Sequence, residues 1–184
     1  KYGHGAKDYN WEGISNQKQI VIVNYTLSRY EKRFFVLDLE KNTVVSTMAA
    51  HGYGSNTNGK YSKVPKRFSN VEGSGATSRG FYLSAGTYCS SGKFFGSCRG
   101  DNKANAVYLD GLSKHNWRAK ERAVVWHGAT YVNASSGASG NSAGCPSVPI
   151  TKWTEYHQRL KKGTLFYHYT DYEYEEYVKS KRKE

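Results

Sequence analysis

Two side chains in this sequence have the chemistry of a nucleophile and its base, and they lie close together in the chain. Residues 127–149 read HGATYVNASSGASGNSAGCPSVP. His127 follows Ala123-Val124-Val125-Trp126, an apolar, β-branched and aromatic run that predicts a buried strand. Cys145 comes eighteen positions later, directly after Gly144. The segment between them is rich in Ser, Gly, Asn and Ala without apolar periodicity, which is the composition of a loop. A loop of that length can fold back and set the thiol beside the imidazole. A thiol attacks well only as the thiolate, and a neighbouring imidazole can take its proton and hold the ion pair. A glycine before the cysteine lets backbone N–H groups converge on one point, where a developing oxyanion can sit.

The pattern resembles the signature of the L,D-transpeptidase (YkuD-like) catalytic domain: a histidine, a loop, then Ser/Thr-x-Gly-Cys. The step from His127 to Ser142 is fifteen positions, and Gly144-Cys145-Pro146 resembles the branch with Gly-Cys-Pro at the nucleophile. Upstream, RFFVLDLEKNTVVSTMAAHGYGSNTNG, FSNVEGSGATSRGFYL and YLDGLSKHNWRAKERAVVWHGATYV resemble successive blocks of the same family, so the likeness runs from about Gln19 to His168. The resemblance implies a mainly β fold, an L,D-transpeptidase-like β-sandwich with one or two short helices. It implies Cys145 as nucleophile and His127 as general base. The carbonyl of Gly128 would orient the imidazole, and the N–H groups of Gly144 and Cys145 would form the oxyanion hole. Such an enzyme needs no cofactor and no metal. It would act on peptidoglycan stem peptides in the periplasm or cell envelope, cleaving the diamino acid–D-Ala bond through a thioester and passing the acyl group to an amine. Water as acceptor would make it an L,D-carboxypeptidase; a non-catalytic wall-binding module is the alternative outside enzymes. The resemblance also implies acylation by carbapenems.

Three positions depart from the family pattern. Ala143 stands where many members carry a second histidine, Ser147 where many carry Arg or Asn, and Ser78 where Pro is frequent. The first two bear on how substrate is held. Ser142 is expected to shape the turn or bind substrate, Ser147 to line the substrate site, and His51, in the glycine-rich HGYGS block, to reach the cleft. Tyr131 is expected as a core ring.

The wider composition sets the frame. A chain of 184 residues is one domain by size. Sixteen Tyr, nineteen Gly and three Pro fit a β-rich, loop-rich fold with an aromatic core. The net charge of +12 suits an anionic partner such as a wall polymer. The basic residues are scattered and match no nucleic-acid-binding motif, so nucleic acid is not expected as a partner. No apolar run reaches the ~20 residues that span a bilayer, and a monomer is expected. Three cysteines leave one over if two pair. Cys89 and Cys98 flank the short segment CSSGKFFGSC and are expected to form a disulfide, with Cys145 free. Neither CxxC nor HxxxH occurs, which argues against zinc.

The elements that must position the pair follow from periodicity. Residues 1–18 read as an irregular arm, 19–170 as the catalytic domain, and 171–184 as a charged tail. Strands are expected at Gln19–Tyr25, Arg33–Asp38 and Thr43–Ala49, joined by short turns as an antiparallel meander. A long glycine-rich loop runs from His51 to about Gly75, and further strands are expected at 77–83 and 107–109. One or two helical turns are expected over Lys114–Arg122. A helix beginning at Pro149–Thr151 presents Trp153, Tyr156, His157 and Leu160 as one stripe and ends at Gly163. A last strand covers Thr164–Tyr169.

Overall fold

The computed structural model describes residues 13–56, 62–90, 95, 105–138 and 140–172. In chain order it contains β1 (Gln19–Asn24), β2 (Lys32–Asp38), β3 (Thr43–Met48), β4 (Gly80–Tyr88), β5 (Ala106–Gly111), β6 (Val125–Ala129), β7 (Val132–Asn133), β8 (Gly137–Ala138), β9 (Ser147–Pro149), α1 (Ile150–Leu160) and β10 (Lys162–Tyr169). Among the described residues the fold is mainly β, with α1 as its one full α-helix. A single eight-stranded sheet runs β3-β2-β1-β10-β4-β5-β6-β9, and β7 and β8 form a separate small hairpin.

Strands β1, β2 and β3 form the expected meander. The turn between β2 and β3 places Asn42 at φ 51°, a left-handed conformation that Asn tolerates. Burial alternates along β1, so Val21 and Val23 face inward and Ile20 and Ile22 outward. The inward side chains of β1, β2, β4, β5, β6 and β10 make one core: Val21, Phe34, Tyr82, Leu109, Trp126 and Phe166 are all fully or almost fully buried. Trp126 is its centre, stacked on Phe34 at 5.7 Å and edge-on to Trp153 at 4.6 Å. The latter ring comes from α1, whose predicted stripe of Trp153, Tyr156, His157 and Leu160 is the buried face. After α1 the chain reverses at Gly163, φ 68°, where a Cβ would lie 2.0 Å from Ser15 Oγ. The arm's end is fastened there too: Asn16 N–H donates to Gly163 O at 3.0 Å. Most of the expected arm and tail, residues 1–12 and 173–184, falls outside the described residues.

The two ends of the sheet approach each other. Beyond β3, Ala50 bridges Ser147 of β9, its N–H donating to Ser147 O at 2.8 Å. That contact brings the meander against the strand after the cysteine.

Two local expectations change. Residues 114–123 form successive hydrogen-bonded turns and no helix. Asn116 ties these turns to the sheet: its Oδ1 accepts from Ser113 N–H at 2.8 Å and its Nδ2 donates to Phe81 O at 2.7 Å. Ala123 then takes φ 50°. The strand therefore starts at Val125, two residues later than its composition suggests, and His127 lies in mid-strand.

Candidate active site

β6 and β9 pair in parallel, with His127 opposite Ser147, Gly128 opposite Val148 and Ala129 opposite Pro149. This register decides what meets what. Trp126 and Gly128 face α1, and a Cβ on Gly128 would lie 2.9 Å from Trp153 Cβ. Val125 and His127 face the other way.

The imidazole of His127 is 3% exposed and held at both nitrogens. Nδ1 lies 2.9 Å from Gly128 O. A carbonyl can only accept, so Nδ1 carries the proton and Nε2 is the acceptor. Ser147 Oγ, 2.9 Å from Nε2, donates to it. Tyr131 OH, 2.9 Å from Ser147 Oγ, donates in turn to that hydroxyl. The result is a directed chain, Tyr131 to Ser147 to His127 to Gly128 O. Phe95 stacks on the imidazole face at 4.1 Å. Burial lowers the His127 pKa to about 4, against the Gly128 carbonyl, which favours the charged form. The ring is neutral near pH 7.

Cys145 is partly exposed and is the free cysteine among the described residues. Its Sγ accepts from Val125 N–H at 3.4 Å and donates to Ala123 O at 3.8 Å. Burial of the sulfur pushes its pKa above the ordinary thiol value, opposed by the Val125 N–H and the Arg122 guanidinium. Thiol and imidazole are therefore both neutral at rest. In the β6–β9 register Ser147, not Cys145, lies opposite His127, and Cys145 stands two residues before it, outside β9. Among the described residues no hydrogen bond joins Sγ to His127.

The turn carrying the cysteine is built by Ser142. Its hydroxyl donates to Cys145 O at 2.6 Å and accepts from Gly144 N–H at 3.1 Å. The Gly144 N–H, expected to face an oxyanion, is thus turned onto Ser142. Gly144 has φ 121°, where a Cβ would come 2.8 Å from Ala76 O, so only glycine fits without strain. Ser142 is itself anchored: its N–H donates to His51 O at 3.0 Å, and its carbonyl accepts from Tyr53 N–H at 2.7 Å.

The ring of His51 is away from the cleft. It is fully buried, accepting at Nδ1 from Arg33 Nη2 at 2.9 Å and donating from Nε2 to Asn56 Oδ1 at 3.0 Å. Burial and the Arg33 cation lower its pKa to about 3. Its part in the site is a backbone carbonyl holding the turn before Cys145.

Three residues of the site carry roles that the sequence did not suggest. Arg29, in the turn between β1 and β2, is almost fully buried. Its guanidinium donates to Ala138 O at 2.5 Å, to Asn141 Oδ1 at 2.8 Å and to Gly140 O. It pins the loop between His127 and Cys145. Arg122 lies beneath the turn that carries Cys145, with Nη2 3.3 Å from where a Gly144 Cβ would be. It donates to Ala76 O at 2.6 Å, Ser69 O at 2.8 Å and Ser78 Oγ at 3.1 Å. Tyr131, expected as a core ring, places its hydroxyl on the His127 chain. Arginines flanked by polar residues read as surface charge; no motif marks them as pins.

Of the expected disulfide, Cys89 follows β4 directly, while Cys98 lies outside the described residues. Among the described residues no cluster of three or more His, Cys, Asp or Glu could hold a metal ion. None of their helices is long and apolar enough to cross a membrane.

Known proteins were compared with the chain. Among solved structures it is similar to an L,D-transpeptidase from Mycobacterium smegmatis, at 13% identity and a TM-score of 0.49, over 83% of this chain and 59% of that one. An Enterococcus faecium L,D-transpeptidase mutant is similar at 12% identity and a TM-score of 0.47, over 83% and 50%. A Xylanimonas cellulosilytica L,D-transpeptidase is similar at 16% and 0.43, over 82% and 60%. The chain thus spans three fifths or less of the length of these structures. No curated protein matches it. The sequence model of the L,D-transpeptidase catalytic domain family matches from residue 3 to residue 169, and the chain belongs to that family.

Proposed function

We propose that this domain is a cysteine acyltransferase of the cell envelope that remodels peptidoglycan as an L,D-transpeptidase. The observation that carries the proposal is a partly exposed free thiol in a glycine-backed turn, directly before the strand that pairs with that of a buried histidine whose Nδ1–H is fixed on a backbone carbonyl. Those are the parts of acyl transfer through a thioester.

In the proposed reaction a stem tetrapeptide lies along the β6–β9 edge with its diamino acid–D-Ala carbonyl at Cys145. A turn about χ1 moves the sulfur from Ala123 O toward His127. The S–H proton passes to Nε2, and the thiolate attacks the carbonyl carbon. The Cys145 N–H stabilises the oxyanion. The C–N bond to D-Ala breaks, and the leaving amine takes the proton from His127. An amine of a second stem then attacks the thioester, loses its proton to His127 and forms the cross-link, returning the thiol.

The net charge of +12 supports an anionic wall polymer as partner. The proposal includes residues 19–170 as the catalytic domain, an exported protein, a monomer, and a Cys89–Cys98 disulfide. It is tested by mass spectrometry of products from a purified tetrapeptide muropeptide. A cross-linked dimer with loss of D-Ala is expected, and none with Cys145→Ala. A tripeptide monomer alone would assign water as the acceptor and an L,D-carboxypeptidase. Neither product, with sacculus binding unchanged in Cys145→Ala, would leave a wall-binding module. A carbapenem mass adduct on intact protein, absent in Cys145→Ser, checks the nucleophile independently.

A further inference from the structure

We infer that Ser147, held by Tyr131, is a positioning residue that caps the base nitrogen of His127 and keeps Cys145 in its thiol form until substrate fills the site. The inference rests on Cys145 and His127 being the reacting pair.

Ser147 is fully buried and fixed from three sides. Its main chain pairs with β6 and accepts the Ala50 N–H, and its hydroxyl lies 2.9 Å from both His127 Nε2 and Tyr131 OH. The imidazole is equally constrained by Gly128 O and the Phe95 ring. With Nδ1 protonated, Nε2 offers one in-plane lone pair, and Ser147 occupies it. The sulfur cannot give its proton to a nitrogen already accepting a hydrogen bond. Its resting partners are instead backbone groups, Val125 N–H and Ala123 O. Tyr131 sets the direction: by donating to Ser147 Oγ it leaves the serine proton aimed at the imidazole. The depressed His127 pKa and raised Cys145 pKa agree with a neutral pair. Release needs a turn about χ1 of Ser147 that takes Oγ off Nε2 and opens the lone pair to the sulfur. The S–H bond then breaks and the proton bonds to Nε2, while Ser147 keeps its own proton.

The test is the pH dependence of Cys145 alkylation by iodoacetamide, followed by intact mass. In wild type the rate should rise only toward the thiol's own high pKa. Ser147→Ala should react about tenfold faster near pH 7, the factor a neutral hydrogen bond is worth. It should also show a new low-pH inflection that disappears when His127→Ala is added. Ser147→Thr keeps the hydroxyl and should restore the slow profile. Tyr131→Phe should accelerate the reaction by a smaller factor. Folded Ser147→Ala reacting no faster than wild type overturns the inference, as does Ser147→Thr reacting as fast as Ser147→Ala. If Ser147→Ala fails to fold, Tyr131→Phe decides: acceleration supports the cap and an unchanged profile overturns it. Alkylation needs no muropeptide, so the two proposals fail separately. Acceleration without product removes the transpeptidase reading alone, and product without acceleration removes the cap alone.

Discussion

Arg29→Met removes the cation that pins the loop between His127 and Cys145 while keeping an unbranched apolar stem. The guanidinium makes three donations, to Ala138 O, Asn141 Oδ1 and Gly140 O, from a side chain with almost no exposure. A hydrogen bond from a charged donor contributes about 1.5–3 kcal/mol. The methionine would leave those acceptors facing an apolar chain, but the loop lies near the surface and can admit water. The net loss should therefore be about 3–5 kcal/mol, a large share of the ~5–15 kcal/mol that holds a domain together. For a domain of this size that lowers the melting temperature by about 10–15 °C. Circular dichroism melts measure the loss, and hydrogen exchange at 137–142 locates it. Arg29→Lys keeps the charge but has no planar fork to span three acceptors, so it should fall between the two. A methionine variant melting within about 3 °C of wild type, with unchanged exchange at 137–142, would refute the assignment of Arg29 as the pin.

Three further outcomes are expected. Gly144→Ala puts a Cβ 2.8 Å from Ala76 O at φ 121°; it should cost about 1–3 kcal/mol and slow carbapenem acylation, and a normal melt with a normal acylation rate would count against the tight turn. His51, His127 and His168 are each lowered from 6.5, to about 3, 4 and 4, chiefly by burial. The unfolded chain therefore binds more protons below pH 6.5, so stability is full above that value and falls on acidification toward pH 4, by up to about 1.4 kcal/mol per pH unit for each histidine; urea midpoints that match at about pH 5 and pH 7.5 would contradict this. Thiol titration in denaturant should find one reactive thiol before reduction and three after, and three from the start would exclude the Cys89–Cys98 bridge.

The meander of β1, β2 and β3, the last strand β10 and the helix were legible because their signals are local, whereas the short strands β7, β8 and β9 were not. β-Branched alternation marks β1, and a 3.6-residue stripe marks α1. The glycine at 144 was legible because a tight turn before a nucleophile has a strong residue preference. What escaped depends on register, which composition does not encode. Only the parallel pairing of β6 with β9 reveals that Ser147 lies opposite His127. The partners of the Asn116 side chain, Ser113 N–H and Phe81 O, are likewise set by the fold. Arg29 and Arg33 read as surface charge, since burying a cation among carbonyls leaves no compositional trace.

The position of β10 governs the order of assembly. It lies between β1 and β4, parallel to the first and antiparallel to the second. A nascent chain that has emerged only as far as α1 holds two half-sheets, each ending in a bare interior edge. Such edges invite pairing with other chains. The thiol at 145 is thus delivered before the domain can close around it, and its working geometry waits for the last segment of the sheet to slide into the gap. Emergence of β10, more than local collapse of the loop before Cys145, times the completion of the sheet.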